Sequence, residues 1–120
     1  MSEVKPEFKK TILVGLGGAG KLILTHLKKL FIDMYGCVPP SIKLLSVDTD
    51  PAPVSLKSEV SDRQYSLDDR EFLYMKVDQP IEFIENSSVR EWFIKPLPTG
   101  SITKGAGAVR EVGRVAFFYH

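Results

Sequence analysis

The chain has very few of the residues that bind metals or form disulfides. Its 120 residues include one cysteine, Cys37, and two histidines, His26 and His120. A single thiol cannot form an internal disulfide, and these three side chains are too few for a metal-ligand cluster. The composition therefore predicts a fold without covalent or metal cross-links, in which Cys37 is a small buried or half-buried residue.

An excess of one charge is also missing. Sixteen basic and fifteen acidic residues are interspersed and give a net charge of +1. Such a balance creates no field that would attract nucleic acid or an anionic membrane. The polar segment Met1–Lys10 lacks the core of a signal peptide, and no apolar run approaches the ~20 residues of a bilayer span. We expect a cytoplasmic protein without a nucleic-acid partner or membrane span.

What the chain does have is a cluster of glycines directly after an apolar run. Residues Thr11–Val14 are typical of a central parallel strand, and the helical pattern that follows starts near Ala19. The predicted helix carries one apolar stripe and stops at Gly36. The stripe consists of Ile23, Leu27, Leu30, Phe31 and Met34. Glycines between a strand and a helix let the backbone approach an anion at the helix N-terminus, which indicates a phosphate group.

A second predicted strand, Ile42–Asp48, completes a βαβ unit. This order predicts an α/β fold with a Rossmann-like parallel sheet and flanking helices. Asp48, Thr49 and Asp50 follow at the carboxyl end of the strand, where open α/β sheets bind ligands. The alternative is a plain Asx turn before Pro51.

The rest of the chain is less regular until a second loop of small residues. Residues 53–70 are polar, 72–77 are typical of a short strand, and 80–86 and 89–94 of short helices. Gly105, Ala106, Gly107 and Ala108 then precede a helical pattern that reaches Tyr119. Two such loops at one sheet edge favour a polyphosphate ligand over packing alone.

In three ordered segments the chain resembles the tubulin-like GTPases, the superfamily of tubulin and the division protein FtsZ. The segments are the loop at 15–20, the ending Ser46-Val47-Asp48-Thr49-Asp50, and the Gly-Ala-Gly-Ala-x-x-x-x-Gly-Arg pattern at 105–114. The third segment is the most specific. The chain looks most like the bacterial branch described only as tubulin-like proteins.

The resemblance implies GTP or GDP as ligand, with or without Mg²⁺, and self-association of the full-length protein into filaments. By the resemblance, the phosphates and the ribose side of the nucleotide lie against the first loop, with Lys21 pairing by charge, and the second-strand ending lies beside them. The loop at 105–108 would offer N–H groups to the γ-phosphate. The implied binding residues are Gly15, Gly17, Gly18, Ala19, Gly20, Lys21, Asp48, Thr49, Asp50, Gly105, Ala106, Gly107 and Ala108.

The family's Gly-Gly-Gly-Thr-Gly-Ser-Gly loop and its downstream acidic loop do not occur in this chain. We therefore expect a tail over residues 1–9 and, over 10–120, the N-terminal part of a tubulin-like domain. Whether this chain hydrolyses GTP stays open, and we assign no catalytic residue.

Two alternatives remain. One is a dinucleotide-binding domain of an NAD-dependent oxidoreductase, in which Asp48 would bind the ribose hydroxyls. The other is an interaction module or fragment that binds nothing.

Overall fold

A computed structural model describes residues 7–59, 61–78, 80–86, 88–92 and 110–120. The elements follow in the order β1 (Thr11–Leu16), α1 (Gly17–Tyr35), β2 (Ile42–Asp48), β3 (Leu56–Lys57), β4 (Gln64–Tyr65), β5 (Phe72–Tyr74), α2 (Pro80–Glu85), a 3-10 helix (Ser88–Glu91) and α3 (Arg110–Tyr119). The predicted α/β class is confirmed. Within the described ranges, no helix has the length and apolar character needed to cross a bilayer.

The described residues form two compact units. The first comprises residues up to 47 together with 53–73, and the second comprises 48–52 together with 74–120.

The main sheet has the strand order β1-β2-β5 and is parallel. Thr11 pairs with Ile42 and Leu16 with Val47, so β1 and β2 run side by side over six residues. The central strand of the described sheet is thus β2, and the prediction of a central β1 is wrong for this part of the chain. A continuous apolar run cannot distinguish a strand that is covered on both faces from a strand with one exposed face. In β1 the side chains of Ile12 and Leu16 are exposed.

Helix α1 packs on the sheet through Leu24 and Phe31, which form a buried cluster with Ile42 and Leu44. The predicted apolar stripe is confirmed at Phe31 and at Leu27, which packs against this cluster, and is wrong at its other three residues. Ile23, Leu30 and Met34 are exposed by half or more of their surface. The reason lies at the start of the helix, where Gly20 is pressed against β1 and fixes the rotation that turns Leu24 inward.

The helix ends as predicted at Gly36, whose φ of 79° lies in the left-handed region and whose N–H donates to Ile32 O at 2.8 Å. Cys37 follows directly and is exposed, so the prediction of a buried or half-buried cysteine is wrong. The chain has left the helix at this residue and passes over the surface before β2.

A short hairpin, β3 with β4, was not predicted. Leu56 pairs with Tyr65 in antiparallel register. Tyr65 is buried, and its hydroxyl donates a hydrogen bond to Asp33 Oδ1 of α1 at 2.5 Å. The same carboxylate pairs with Lys29 at 3.0 Å. The hydrogen bond between Tyr65 and Asp33 joins residues 32 positions apart and holds the hairpin against α1.

In the second unit, α2 and α3 pack through aromatic rings. Phe83 and Tyr119 stand edge to face with ring centres 5.2 Å apart. Val115 and Ala116 of α3 are fully buried. The predicted helix at 89–94 is a 3-10 helix that ends at Glu91, and the predicted strand at 72–77 ends at Tyr74.

Candidate functional site

The turn from β1 into α1 is built on one residue with left-handed backbone. Leu16 is extended, with φ −102° and ψ 131°, and Gly17 follows with φ 68°. A residue with a Cβ is strained at such a φ, so glycine is favoured at this entry into the helix. The helix begins at Gly17 and not near Ala19 as expected. Most of the predicted glycine loop is therefore the first turn of α1.

No side chain caps this helix start, and its first turn contains no acidic residue. The first N–H groups of a helix have no partner inside the helix, and the helix dipole makes this end positive. The turn can therefore donate hydrogen bonds to an anion from the backbone of Gly17, Gly18 and Ala19.

Gly15 and Gly20 have a different role, because they touch each other. A Cβ placed on Gly15 would lie 2.6 Å from Gly20 O, and one placed on Gly20 would lie 2.5 Å from Gly15 C. Strand and helix thus meet backbone to backbone. These two glycines allow close packing, which positions the turn.

Gly18 is open on the side where a side chain would stand. A Cβ added there meets none of the described residues within 4 Å, and its φ is outside the strained range. Neither packing against the described residues nor backbone conformation requires a glycine at this position, which leaves room for a ligand.

Lys21, which the sequence assigns to the phosphates, is 5% exposed. Its Nζ lies 4.6 Å from the ring centre of Phe72, the first residue of β5. Both residues belong to the first unit. The buried ammonium therefore makes a cation–π contact one turn beyond Gly17.

Ser46 of β2 pairs in register with Gly15. Its side chain is fully buried, and its Oγ has no hydrogen-bond partner in the described part of the chain. A buried hydroxyl without a partner is costly and rare. The sequence assigned no site role to Ser46, although this residue opens the segment Ser46-Val47-Asp48-Thr49-Asp50, nor to Phe72, which belongs to no motif.

In the second unit, the ending of β2 is a pair of Asx turns. Asp50 N donates to Asp48 Oδ1 at 3.1 Å, and Ala52 N donates to Asp50 Oδ1 at 2.9 Å. Asp48 and Thr49 are buried. The Asx-turn interpretation of this segment is confirmed, whereas its role in ligand binding stays a prediction.

The second predicted loop, Gly105, Ala106, Gly107 and Ala108, lies outside the described residues. Across the described ranges, no three His, Cys, Asp or Glu side chains come together as a metal site would require.

A family comparison bears on this geometry. The model of a protein family described as tubulin like matches residues 12–120 of the chain. The chain belongs to the tubulin-like family. The match includes the turn at Gly17, the ending of β2 and the segment at 105–114, which are the segments that carry the resemblance in the sequence. No curated protein and no solved structure matches the chain significantly.

Proposed function

We propose that this tubulin-like chain binds a guanine nucleotide, GTP or GDP, with the phosphates at the turn from β1 into α1. The observation that carries the proposal is the open position at Gly18, beside the left-handed Gly17 and at the uncapped start of a 19-residue helix. The family supports a nucleotide as the anion, and the choice of guanine rests on the resemblance alone.

The chemistry at this turn is recognition of negative charge. The backbone N–H groups of Gly17, Gly18 and Ala19 would donate to phosphate oxygens, and the helix dipole would stabilise the charge. A bound nucleotide supplies the phosphate charge. Gly15 and Gly20 contribute by holding the strand and helix together, which fixes the turn.

Other parts of the proposal follow from the family resemblance. The contributions of Asp48, Thr49 and Asp50, the contact of residues 105–108 with a γ-phosphate, accompanying Mg²⁺, and filament assembly by the whole protein all stay predictions. The described residues offer no group to which we assign catalysis.

Thermal melting of the full chain with GTP, GDP, ATP or NAD tests the ligand class. A ligand that binds only the folded state adds roughly 2.7 kcal/mol of stability at a hundredfold excess over its dissociation constant. We expect the melting temperature to rise with GTP and GDP. A rise with NAD alone would support the dinucleotide alternative, and no rise with any of them would contradict nucleotide binding by this chain.

Substitutions at Gly18 test the place of binding. Gly18→Asp puts a carboxylate at the positive end of α1, which stabilises the helix by about 0.3–1 kcal/mol but repels phosphate. We expect unchanged or higher stability together with a loss of GTP affinity of about tenfold or more. Gly18→Asn, which has the same size without the charge, should lose less.

Met34→Asp is the matched control at the other end of the same helix, where Met34 is exposed. Its carboxylate opposes the helix dipole there, so stability falls while GTP affinity stays the same. Equal GTP affinity for wild type and Gly18→Asp, measured by calorimetry, would contradict phosphate binding at this turn.

A further inference from the structure

One edge of the main sheet has no partner strand. β1 pairs with β2, and no described strand pairs with the other edge of β1. Thr11 N donates to Ser41 O on the side of β2. Because N–H groups alternate in direction along a strand, those of Ile12, Val14 and Leu16 point to the free edge. This edge therefore offers three N–H groups, with the carbonyl groups beside them, to a further strand.

The free edge of β1 has none of the features that usually keep such edges from pairing. The strand contains no charged residue and no proline, and its register with β2 has no bulge. The side chains of Ile12, Val14 and Leu16 lie on the sheet face away from α1, and each is more than half exposed. A strand added at this edge would gain apolar contacts as well as hydrogen bonds.

β1 is complementary to a second copy of itself. In an antiparallel pair with Val14 opposite Val14, Ile12 of each copy lies opposite Leu16 of the other. All three pairs then exchange hydrogen bonds and bring apolar side chains together. A register with Val14 opposite Ile12 or Leu16 keeps only two of these pairs, so the symmetric register is favoured.

The charges beside β1 favour the antiparallel direction. Lys9 and Lys10 directly precede the strand and are exposed. A parallel pair would bring the lysines of both copies together. An antiparallel pair places them at opposite ends of six residues, about 20 Å apart, where salt screens their repulsion.

Helix α1 presents an apolar flank on the same side of the first unit. Lys28 reaches Glu71 on the side of β5. Leu30 is two positions further and therefore lies about 200° around the helix, towards the free edge of β1. Ile23 is seven positions before Leu30 and shares this flank. Both apolar side chains are more than half exposed.

Ile23 is level with the centre of β1. Gly20 touches Gly15, and from this contact the helix runs back along the strand. Ile23 lies about 4.5 Å further along the helix, and Val14 lies about 3.3 Å back along the strand. A two-fold axis through Val14 therefore also brings Ile23 close to Ile23 of the second copy.

We propose that this surface, formed by the free edge of β1 and by Ile23, binds a second copy of the chain about a two-fold axis at Val14. The two sheets join edge to edge, and the Ile23 side chains meet above the junction. A two-fold interface is closed and does not extend into a filament. The proposal is independent of nucleotide binding.

Introduced cysteines test the register. In a Cys37→Ser background, which removes the exposed native thiol, Val14→Cys should form a disulfide-linked dimer under mild oxidation. The two Cα atoms of such a hydrogen-bonded antiparallel pair lie about 5.5 Å apart, within disulfide range.

Ile12→Cys is the matched control, because Ile12 is more exposed than Val14. In the proposed dimer its equivalent lies about 13 Å away along the strand. Ile12→Cys should therefore not cross-link alone, but should do so when mixed with Leu16→Cys. Equal cross-linking of Val14→Cys and Ile12→Cys would mean unspecific association and would overturn the proposal.

Sedimentation equilibrium without nucleotide tests the association itself. The wild type should show a monomer–dimer equilibrium. Ile23→Glu should weaken dimerisation about tenfold or more, because two carboxylates would meet at the axis. Met34→Glu, at an exposed position of the same flank beyond the partner's helix, should change it little. A monomer at every concentration, open-ended growth, or equal effects of the two variants would overturn the proposal.

Discussion

The glycines of the first turn differ in what a methyl group would meet, and this difference can be measured. Gly15→Ala would place its Cβ 2.6 Å from Gly20 O, so we expect a loss of about 1–3 kcal/mol as strand and helix are pushed apart. Gly18→Ala meets none of the described residues and restricts the unfolded chain, which adds about 0.4–1 kcal/mol. Urea unfolding without nucleotide checks both values. Equal effects of the two substitutions would contradict the division of roles.

For single residues, the sequence indicates where the glycines cluster but not what each glycine does. The spacing of Gly15, Gly17 and Gly20 is the same whether a glycine serves packing, a left-handed φ or a ligand. Only the positions of neighbouring atoms separate these roles. The contact of Lys21 with Phe72 joins residues 51 positions apart in the chain, and no local pattern marks such a pair.

Among the elements, the link between α1 and the hairpin depends on the ionisation of Asp33. Two hydrogen bonds hold the pKa of Asp33 below its ordinary value. The one from Tyr65 has the larger effect, and the one from Lys29 has the smaller effect. A lowered pKa in the folded state means stability that is complete above the ordinary pKa and is lost as pH falls through the lowered one. The link should therefore weaken only in acid.

Tyr65→Phe tests this link. We expect a lower melting temperature than the wild type at neutral pH, and a difference that shrinks as the solution is made strongly acidic. Melting curves of both proteins across this range provide the measurement. Tyr35→Phe, whose ring packs on Phe8 and Phe31, is the control and should show no such trend. If the difference in melting temperature does not change with pH, the ionisation of Asp33 does not account for it.

The elements themselves could be predicted where the pattern is long. The strand, helix and strand from Thr11 to Asp48 follow from apolar runs and from Gly36 at the helix end. The hairpin could not be predicted, because each of its strands has two residues and its stability comes from Tyr65 meeting a distant helix. The exposure of Ile23, Leu30 and Met34 on α1 could not be predicted for a similar reason, since the contact of Gly15 with Gly20 sets the rotation of the helix.

Two properties of the whole molecule, its small net charge and its exposed apolar side chains, both favour association between copies. The net charge is +1, and it reaches zero near pH 7.8. Ile12, Val14 and Leu16 are each more than half exposed on β1. Proteins with little charge repel each other weakly, and an exposed strand edge with apolar side chains favours association.

We therefore expect light scattering at a given concentration to be greatest near pH 7.8 and to fall in Val14→Lys. Ser66→Lys adds the same charge at an exposed position elsewhere and serves as the control. Equal light scattering by the two variants would mean that charge alone governs association, and it would contradict a role of the β1 side chains.

The contact between Gly15 and Gly20 also limits how this protein can evolve. A clash between two side chains can be relieved by a smaller neighbour, so most packing positions can change in compensating pairs. Here each added Cβ would meet main-chain atoms, which no second substitution can make smaller. A lineage that lost either glycine would have no single compensating step available and would have to rebuild the junction of strand and helix.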